Sequence, residues 1–328
     1  MIRPRRRSGP LRLAGHLREF LLRAPRPAAP PFRLWVDITS RCNLACEACL
    51  QKKLPPEQRR DMDPALLASL AAQAGDLGQV NLFHRGEPLL HPQFGFWAAR
   101  FMATGASLRV HSNATLLTPD TVAQILAAAP QLLTLSVDSL NQGLYQANRR
   151  GAELTRTLAG VERLLAARRL LGRQLPRVNL LLMGEQHWGA EERERLARLK
   201  AAGLDRVTHR NLHNWGGGLG QAPLKRRPAV CTFPWYGLAV LSNGVATPCP
   251  QDFFGAMALG RADQQSLAGI WRGEPLTALR RAHAIGDLSA HPVCAACDRI
   301  RRPTFCGLPL EHLGNFLKET LLPGKFSR

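Results

Sequence analysis

The sequence predicts an α/β fold: a curved, partly closed (βα)6 barrel followed by a small C-terminal α+β domain. Three observations predict it. Six short β-prone runs alternate with helical patterns from Phe32 to about residue 212. A glycine-rich joint, Asn214-Trp215-Gly216-Gly217-Gly218, then ends the alternation. The cysteines fall in two groups, one after the first strand and one beyond the joint. Strands alternating with helices build parallel βαβ units, and six units suit a partly closed barrel better than the eight of a full one.

The elements follow in order. Residues 1–31 form a basic leader. Within 11–23, LRLAGHLREFLLR, one helical face carries Leu13, Leu17, Phe20 and Leu21. This predicts a helix packed on the domain, with a membrane-surface helix as the alternative. A Pro/Ala linker, Ala24 to Pro31, leads into the core domain, 32–212. Strands are predicted over 33–38, 80–84, 107–111, 132–137, 177–183 and 205–210. Helices are predicted at about 64–75, 93–104, 119–129, 155–172 and 190–202. Asp63-Pro64 opens the first helix as an N-cap with proline at the first helical position. Beyond the joint come a hairpin (Tyr236 to Leu241, turning at Ser242-Asn243-Gly244), a helix over 266–283 and a Cys- and Pro-rich stretch. This predicts a separate small domain over 213–310 that bound metal would help to fold, and a tail over 311–328.

Composition narrows the class. The 328 residues, 45% hydrophobic, can bury a sizeable core. No apolar run reaches the roughly 18–20 residues that span a bilayer. The basic start, Met1 to Arg7, lacks the apolar stretch of an export signal, so a cytoplasmic protein is expected. A net charge of +20 suggests nucleic acid, but arginine is spread along the chain and only 6% of residues are aromatic. Nucleic acid is therefore not the expected substrate, and anionic small molecules or lipid surfaces suit the charge as well. A non-enzymatic, metal-stabilised scaffold binding nucleic acid or lipid is the alternative class.

The chemistry sits in the cysteines. Eight in such a chain point to metal or redox work rather than disulfides. Cys42, Cys46 and Cys49 share the loop after the first strand, where barrel enzymes place their reactive groups. A [4Fe–4S] cluster normally takes four thiolates, so three leave one iron open to an outside ligand. Zinc instead prefers paired ligands with a nearby fourth, and His84 and His91 are distant in sequence.

The spacing Cys42-x₃-Cys46-x₂-Cys49 closely resembles the signature of the radical S-adenosylmethionine (SAM) superfamily. The resemblance implies a partial (βα)6 barrel of the radical SAM type. Its open iron chelates SAM, and electron transfer yields a 5′-deoxyadenosyl radical that abstracts hydrogen from a substrate. An electron donor follows: a reductase, flavodoxin or ferredoxin. Gly86-Glu87-Pro88 looks like the family's GGE motif for the SAM amino group, with Arg85 where the first glycine usually stands. Ser112-Asn113 resembles the segment near the SAM sugar. Ser136-x-Asp138-Ser139 resembles the Ser-x-Asp motif, and Arg150-Gly151 is a candidate for the SAM carboxylate. Read singly, these are also turns and helix caps. Ala48 stands where many relatives carry an aromatic against adenine.

Cys231, Cys249, Cys294 and Cys297 are similar to the SPASM/twitch extensions that hold auxiliary iron–sulfur clusters. Leu267 to Trp271 and Leu279-Arg280 match the helix placed between those cysteines. Five cysteines are present, too few for two four-thiolate clusters, so one auxiliary [4Fe–4S] cluster is expected. Structural zinc is the alternative. Cys306 is left over and is read as a non-ligand. An auxiliary cluster that accepts an electron makes the net reaction an oxidation. The resemblance implies a small polar or sugar-like substrate, with a ribosomal peptide as the alternative. Only about 30 residues precede the barrel, so no leader-peptide-binding module is expected. His84, Arg85, His111, His213 and Trp215 fall near strand ends and are candidates to face the substrate; no general base is assigned.

Overall fold

The structure, a computed structural model, describes residues 9–184, 188–220, 227–305 and 308–309. Its first element, α1 (Gly9–Leu21), lies on the domain rather than apart from it. Phe20 meets the Trp235 ring edge-on at 5.6 Å, and His16 Nδ1 donates to Trp235 O at 3.1 Å. The buried stripe is thus His16 and Phe20, while Leu21 is 58% exposed. The face expected to carry Leu21 is rotated, because the aromatic ring and the imidazole both find partners on Trp235. Of the apolar face, Phe20 is taken up by this packing, while Leu21 and Leu22 stay exposed. The linker is tied down too. Its Ala24 carbonyl accepts from Trp235 Nε1 (2.7 Å) and its Ala29 carbonyl from Trp271 Nε1 (2.8 Å).

Six parallel strands follow: β1 (Arg33–Val36), β2 (Gln79–Leu82), β3 (Ser107–Ser112), β4 (Leu132–Asp138), β5 (Arg177–Met183) and β6 (Arg206–Arg210). Each pairs in parallel with the next. The crossovers are α2 (Pro64–Gln73), α3 (Phe94–Ala103), α4 (Pro119–Ala128), α5 (Gln142–Asn148) with α6 (Leu154–Leu170), and α7 (Ala190–Ala201). The Asp63 carboxylate accepts from Ala65 N and Leu66 N to start α2, as predicted, and Thr118 caps α4 in the same way. Leu34, Val80, Leu108, Leu133 and Val178 fill the sheet's interior, and Trp97 and Phe101 of α3 cover it. β2 and most of β5 are buried on both faces, whereas β3 alternates between buried and half-buried residues and β6 lies at the exposed edge. Short and polar, α5 was not foreseen; Asn141 caps it by accepting from Leu144 N.

Beyond the joint lie β7 (Gly237–Val240), β8 (Val245–Thr247), β9 (Gly260–Arg261), α8 (Leu267–Arg272), α9 (Glu274–Ile285) and α10 (Pro292–Ala295). This is the small α+β unit the pattern predicts, but its hairpin is seated in the barrel's own sheet. β7 pairs in parallel with β1 from Arg33↔Gly237 to Val36↔Val240, giving one sheet ordered β6-β5-β4-β3-β2-β1-β7-β8-β9. A Cβ on Gly237 would lie 2.6 Å from Arg33 O, so close approach requires glycine there. An unclosed barrel leaves the edge of β1 that faces away from β2 without partners, and β7 pairs with that edge. Leu238, Val240, Ile270, Trp271 and Leu276 accordingly join the barrel's hydrophobic core. Leu288, Cys297 and Ile300 form a second, much smaller cluster. The helix expected over 266–283 is broken at Gly273, because Pro275 suits the first turn of a new helix rather than the middle of an old one.

Candidate active site

The loop carrying Cys42, Cys46 and Cys49 leaves the C-terminal end of β1 and is pinned on two sides. Ala45 N donates to Arg150 O (3.2 Å) and Glu47 N to Asn148 O (2.9 Å), fixing it to the turn between α5 and α6. On the other side, a Cβ on Gly86 would sit 2.3 Å from Thr39 O and 2.4 Å from Arg41 O. Only glycine lets the chain after β2 press against the residues leading into Cys42. Burial pushes the Cys42 thiol up to about 12, and the negative charges of Glu87, Cys46 and Cys49 push it the same way. Cys46 and Cys49 are raised as well, again chiefly by burial. Three adjacent thiolates therefore need a positive partner, and the irons of a cluster supply one.

Glu87 is buried beside this loop. Its carboxylate accepts from Leu89 N (3.0 Å) and Asn113 N (2.6 Å). Burial pushes its pKa up, while those two N–H groups and the Ser112 hydroxyl pull it back. The Asn113 amide donates to Asn43 Oδ1 at 2.9 Å and approaches Cys42 Sγ at 3.9 Å. Gly86, Glu87, Ser112 and Asn113 thus come together around Cys42. Ser136 lies on β4, just before the register shift at Asp138, whose φ is +66°. Asp138 binds Arg149 through both oxygens, at 2.9 and 2.8 Å. Arg150, singled out from the sequence, has a side chain 68% exposed and pairs with Glu47 at 3.1 Å. Its neighbour Arg149 is the buried guanidinium, near enough to Cys46 and Cys49 to lower both thiols' pKa values against the effect of burial. Two adjacent arginines offered no signal to tell them apart.

Trp215 reaches the cysteine loop from the glycine-rich joint, its indole N–H donating to Ala48 O at 3.1 Å. A large ring therefore lies beside the position where the sequence has only alanine. Its backbone φ of +51° is uncommon outside glycine. The ring continues an aromatic series: His213 at 4.5 Å, Phe253 at 5.3 Å, and His84 at 5.8 Å from Phe253. Both ring nitrogens of His84 are out of contact with solvent and have no hydrogen-bond partner. Burial lowers the pKa of His84 to about 4. His111 stacks flat on Phe83, with ring centres 3.7 Å apart. Arg85 is buried in an ion pair with Asp37.

Cys231, Cys249, Cys294 and Cys297 line one cavity together with Phe233, His283 and Ile300. Burial raises all four thiols, Cys231 to about 12. The four thiols face one space, which suits a cluster in which each iron takes one thiolate. Cys306 lies outside the described residues.

Two family models match the chain: the radical SAM superfamily over residues 36–172, and an iron–sulfur cluster-binding domain over 231–298. The chain belongs to the radical SAM superfamily. Among curated relatives, it is 23% identical to the tungsten-containing aldehyde ferredoxin oxidoreductase cofactor-modifying protein of Pyrococcus furiosus, over 87% of this chain and 99% of that one. It is 24% identical to the S-adenosyl-L-methionine-dependent 2-deoxy-scyllo-inosamine dehydrogenase of Niallia circulans, over 81% and 92% of the two chains. Its fold matches Streptococcus suis SuiB bound to precursor peptide SuiA, with a TM-score of 0.62 and 16% identity, over 81% and 70%. This radical SAM protein is an enzyme that uses SAM and a [4Fe–4S] cluster, and its C-terminal domain implies auxiliary iron–sulfur.

Proposed function

We propose that this enzyme cleaves SAM reductively and oxidises a small polar or sugar-like molecule, assisted by one auxiliary [4Fe–4S] cluster. The observation that carries the reading is the division of the described thiols into three at the barrel mouth and four around one cavity. When bound, a three-thiolate cluster supplies an open iron for SAM and the electron that makes a 5′-deoxyadenosyl radical, and a four-thiolate cluster supplies an acceptor for the electron the substrate loses. Cys42, Cys46 and Cys49 would hold the first, and Cys231, Cys249, Cys294 and Cys297 the second. Glu87, with Gly86, would take the SAM amine. Ser112, Asn113, Ser136 and Asp138 would face its ribose and methionine, Arg150 would meet its carboxylate, and Arg149 would hold Asp138 in place. Neutral His84, beside Phe253, is the side chain we set against the substrate. In domain terms, we assign 32–212 to the radical SAM core, 213–310 to the auxiliary unit, and 1–31 and 311–328 to the two ends. No described helix is long and apolar enough to cross a membrane, and we place the enzyme in the cytoplasm with a low-potential flavodoxin or ferredoxin as donor.

Anaerobic reconstitution with iron and sulfide, then dithionite and SAM, tests the reading. The expected result is 5′-deoxyadenosine and about eight irons per chain. No 5′-deoxyadenosine, or stoichiometric zinc in anaerobically purified protein, overturns it. A peptide substrate is the second reading, supported by the likeness to SuiB bound to its precursor peptide. Deuterium carried into 5′-deoxyadenosine from a deuterated cyclitol, rather than from a deuterated peptide, favours the first.

A further inference from the structure

We propose that Arg85 is a positioning residue that locks the Gly86-Glu87 loop to the hairpin leading to Cys249, through one buried ion pair. The inference rests on reading Gly86-Glu87 as the SAM-binding loop. Arg85 occupies a position where the resembled motif has glycine, so its side chain is an addition that the fold must accommodate. It does so at the meeting point of three segments. Arg85 Nε donates to Asp37 Oδ2 at 2.7 Å, and Arg85 N donates to Asp37 Oδ1 at 3.1 Å. Arg85 Nη2 donates to Ser242 Oγ at 2.9 Å, and Ser242 N returns to Asp37 Oδ2 at 3.0 Å. Ser242 Oγ then donates to Ser40 Oγ at 3.1 Å. The two charged side chains are 1% and 0% exposed.

Each segment leads to a thiol or to Glu87. Asp37 and Ser40 follow β1 and run into Cys42. Arg85 lies in the loop after β2 and precedes Gly86, whose backbone presses on residues 39–41, while Glu87 N donates to Arg41 O at 2.8 Å. Ser242 opens the turn between β7 and β8, and β8 runs into Cys249. Buried ion pairs add little stability over apolar packing, and their best-attested use is to fix register. The planar fork of arginine suits that use, because its donors have fixed directions. Whatever moves Arg85 must therefore move Glu87 and the hairpin together. Ligand binding at Glu87 and order in the hairpin are then reciprocally coupled.

Two variants of the reconstituted holoenzyme test this. Ser242→Ala removes the hydroxyl that joins Arg85 to the hairpin and leaves both the Arg85–Asp37 pair and the Ser242 N–H bond to Asp37. Arg85→Lys keeps the charge but loses the fork. SAM affinity is measured by equilibrium binding, and hairpin order by amide exchange over 240–249 with and without SAM. In wild type, SAM is expected to slow exchange in that segment. In Ser242→Ala this response is weakened and SAM binds about fivefold less tightly, with iron content unchanged; Arg85→Lys weakens SAM about tenfold. If Arg85→Lys does not fold, Ser242→Ala decides. Variants that bind SAM like wild type, or a wild-type hairpin indifferent to SAM, overturn the inference. Wild-type holoenzyme that binds no SAM overturns the reading beneath it, and this inference with it.

Discussion

Glu87 shows what one buried carboxylate demands of its surroundings. Both its oxygens are already occupied by N–H donors, from Leu89 and Asn113, so the charge is built into the loop before any ligand arrives. Glu87→Gln keeps the shape but turns an N–H₂ toward one of those donors. Loss of a charge-assisted hydrogen bond costs about 1.5–3 kcal/mol, so SAM affinity should fall about 10- to 100-fold at unchanged iron content in equilibrium binding. His84 makes a prediction about acid. Its pKa is lowered to about 4, so between the ordinary value near 6.5 and 4 the unfolded chain binds a proton that the folded one refuses. Its contribution is present above about pH 6.5 and is lost as pH falls to 4. The unfolding free energy from denaturant titrations across that window should fall by about 3 kcal/mol more in wild type than in His84→Phe.

Among the elements, α1 and its linker act as a strap across the auxiliary unit. Trp235 is gripped from above by Phe20 and from the side by Ala24 O, and Arg280 Nη1 reaches Pro25 O at 3.2 Å. Phe20→Ala should therefore destabilise the fold by about 3 kcal/mol in equilibrium denaturation, a core-sized loss for a helix at the chain's start. The sequence located the regular elements well, since β5 and the Asp63-Pro64 start of α2 follow from local chemistry. It missed what is not local. Pairing between β7 and β1 leaves no mark in either strand, and only the sheet's failure to close calls for it. Arg149 is the C-cap of α5 and Arg150 follows it, so which of the two turns inward depends on where α5 ends, and α5 is too short and polar to announce that. Trp215 was legible as a strand-end candidate, but its approach to Ala48 was not, because a positive φ within a run of glycines sets its direction.

For the whole molecule, the two thiol sets sit in packing of very different depth. The first hangs on a large core shared by barrel and hairpin, whereas the second surrounds a cluster of three buried residues, Leu288, Cys297 and Ile300. Iron removed by a chelator should therefore loosen residues 288–300 and leave β2 to β5 intact. Amide exchange of the stripped protein should show full loss of protection in the first region and little change in the second. The seat of β7 beside β1 also matters during synthesis. Strand β1 gains its second neighbour only about 200 residues later, when Gly237 emerges to meet Arg33. Until then the nascent chain carries a bare edge, open to the wrong partner. Release of a sound barrel thus waits on the part of the chain made after it.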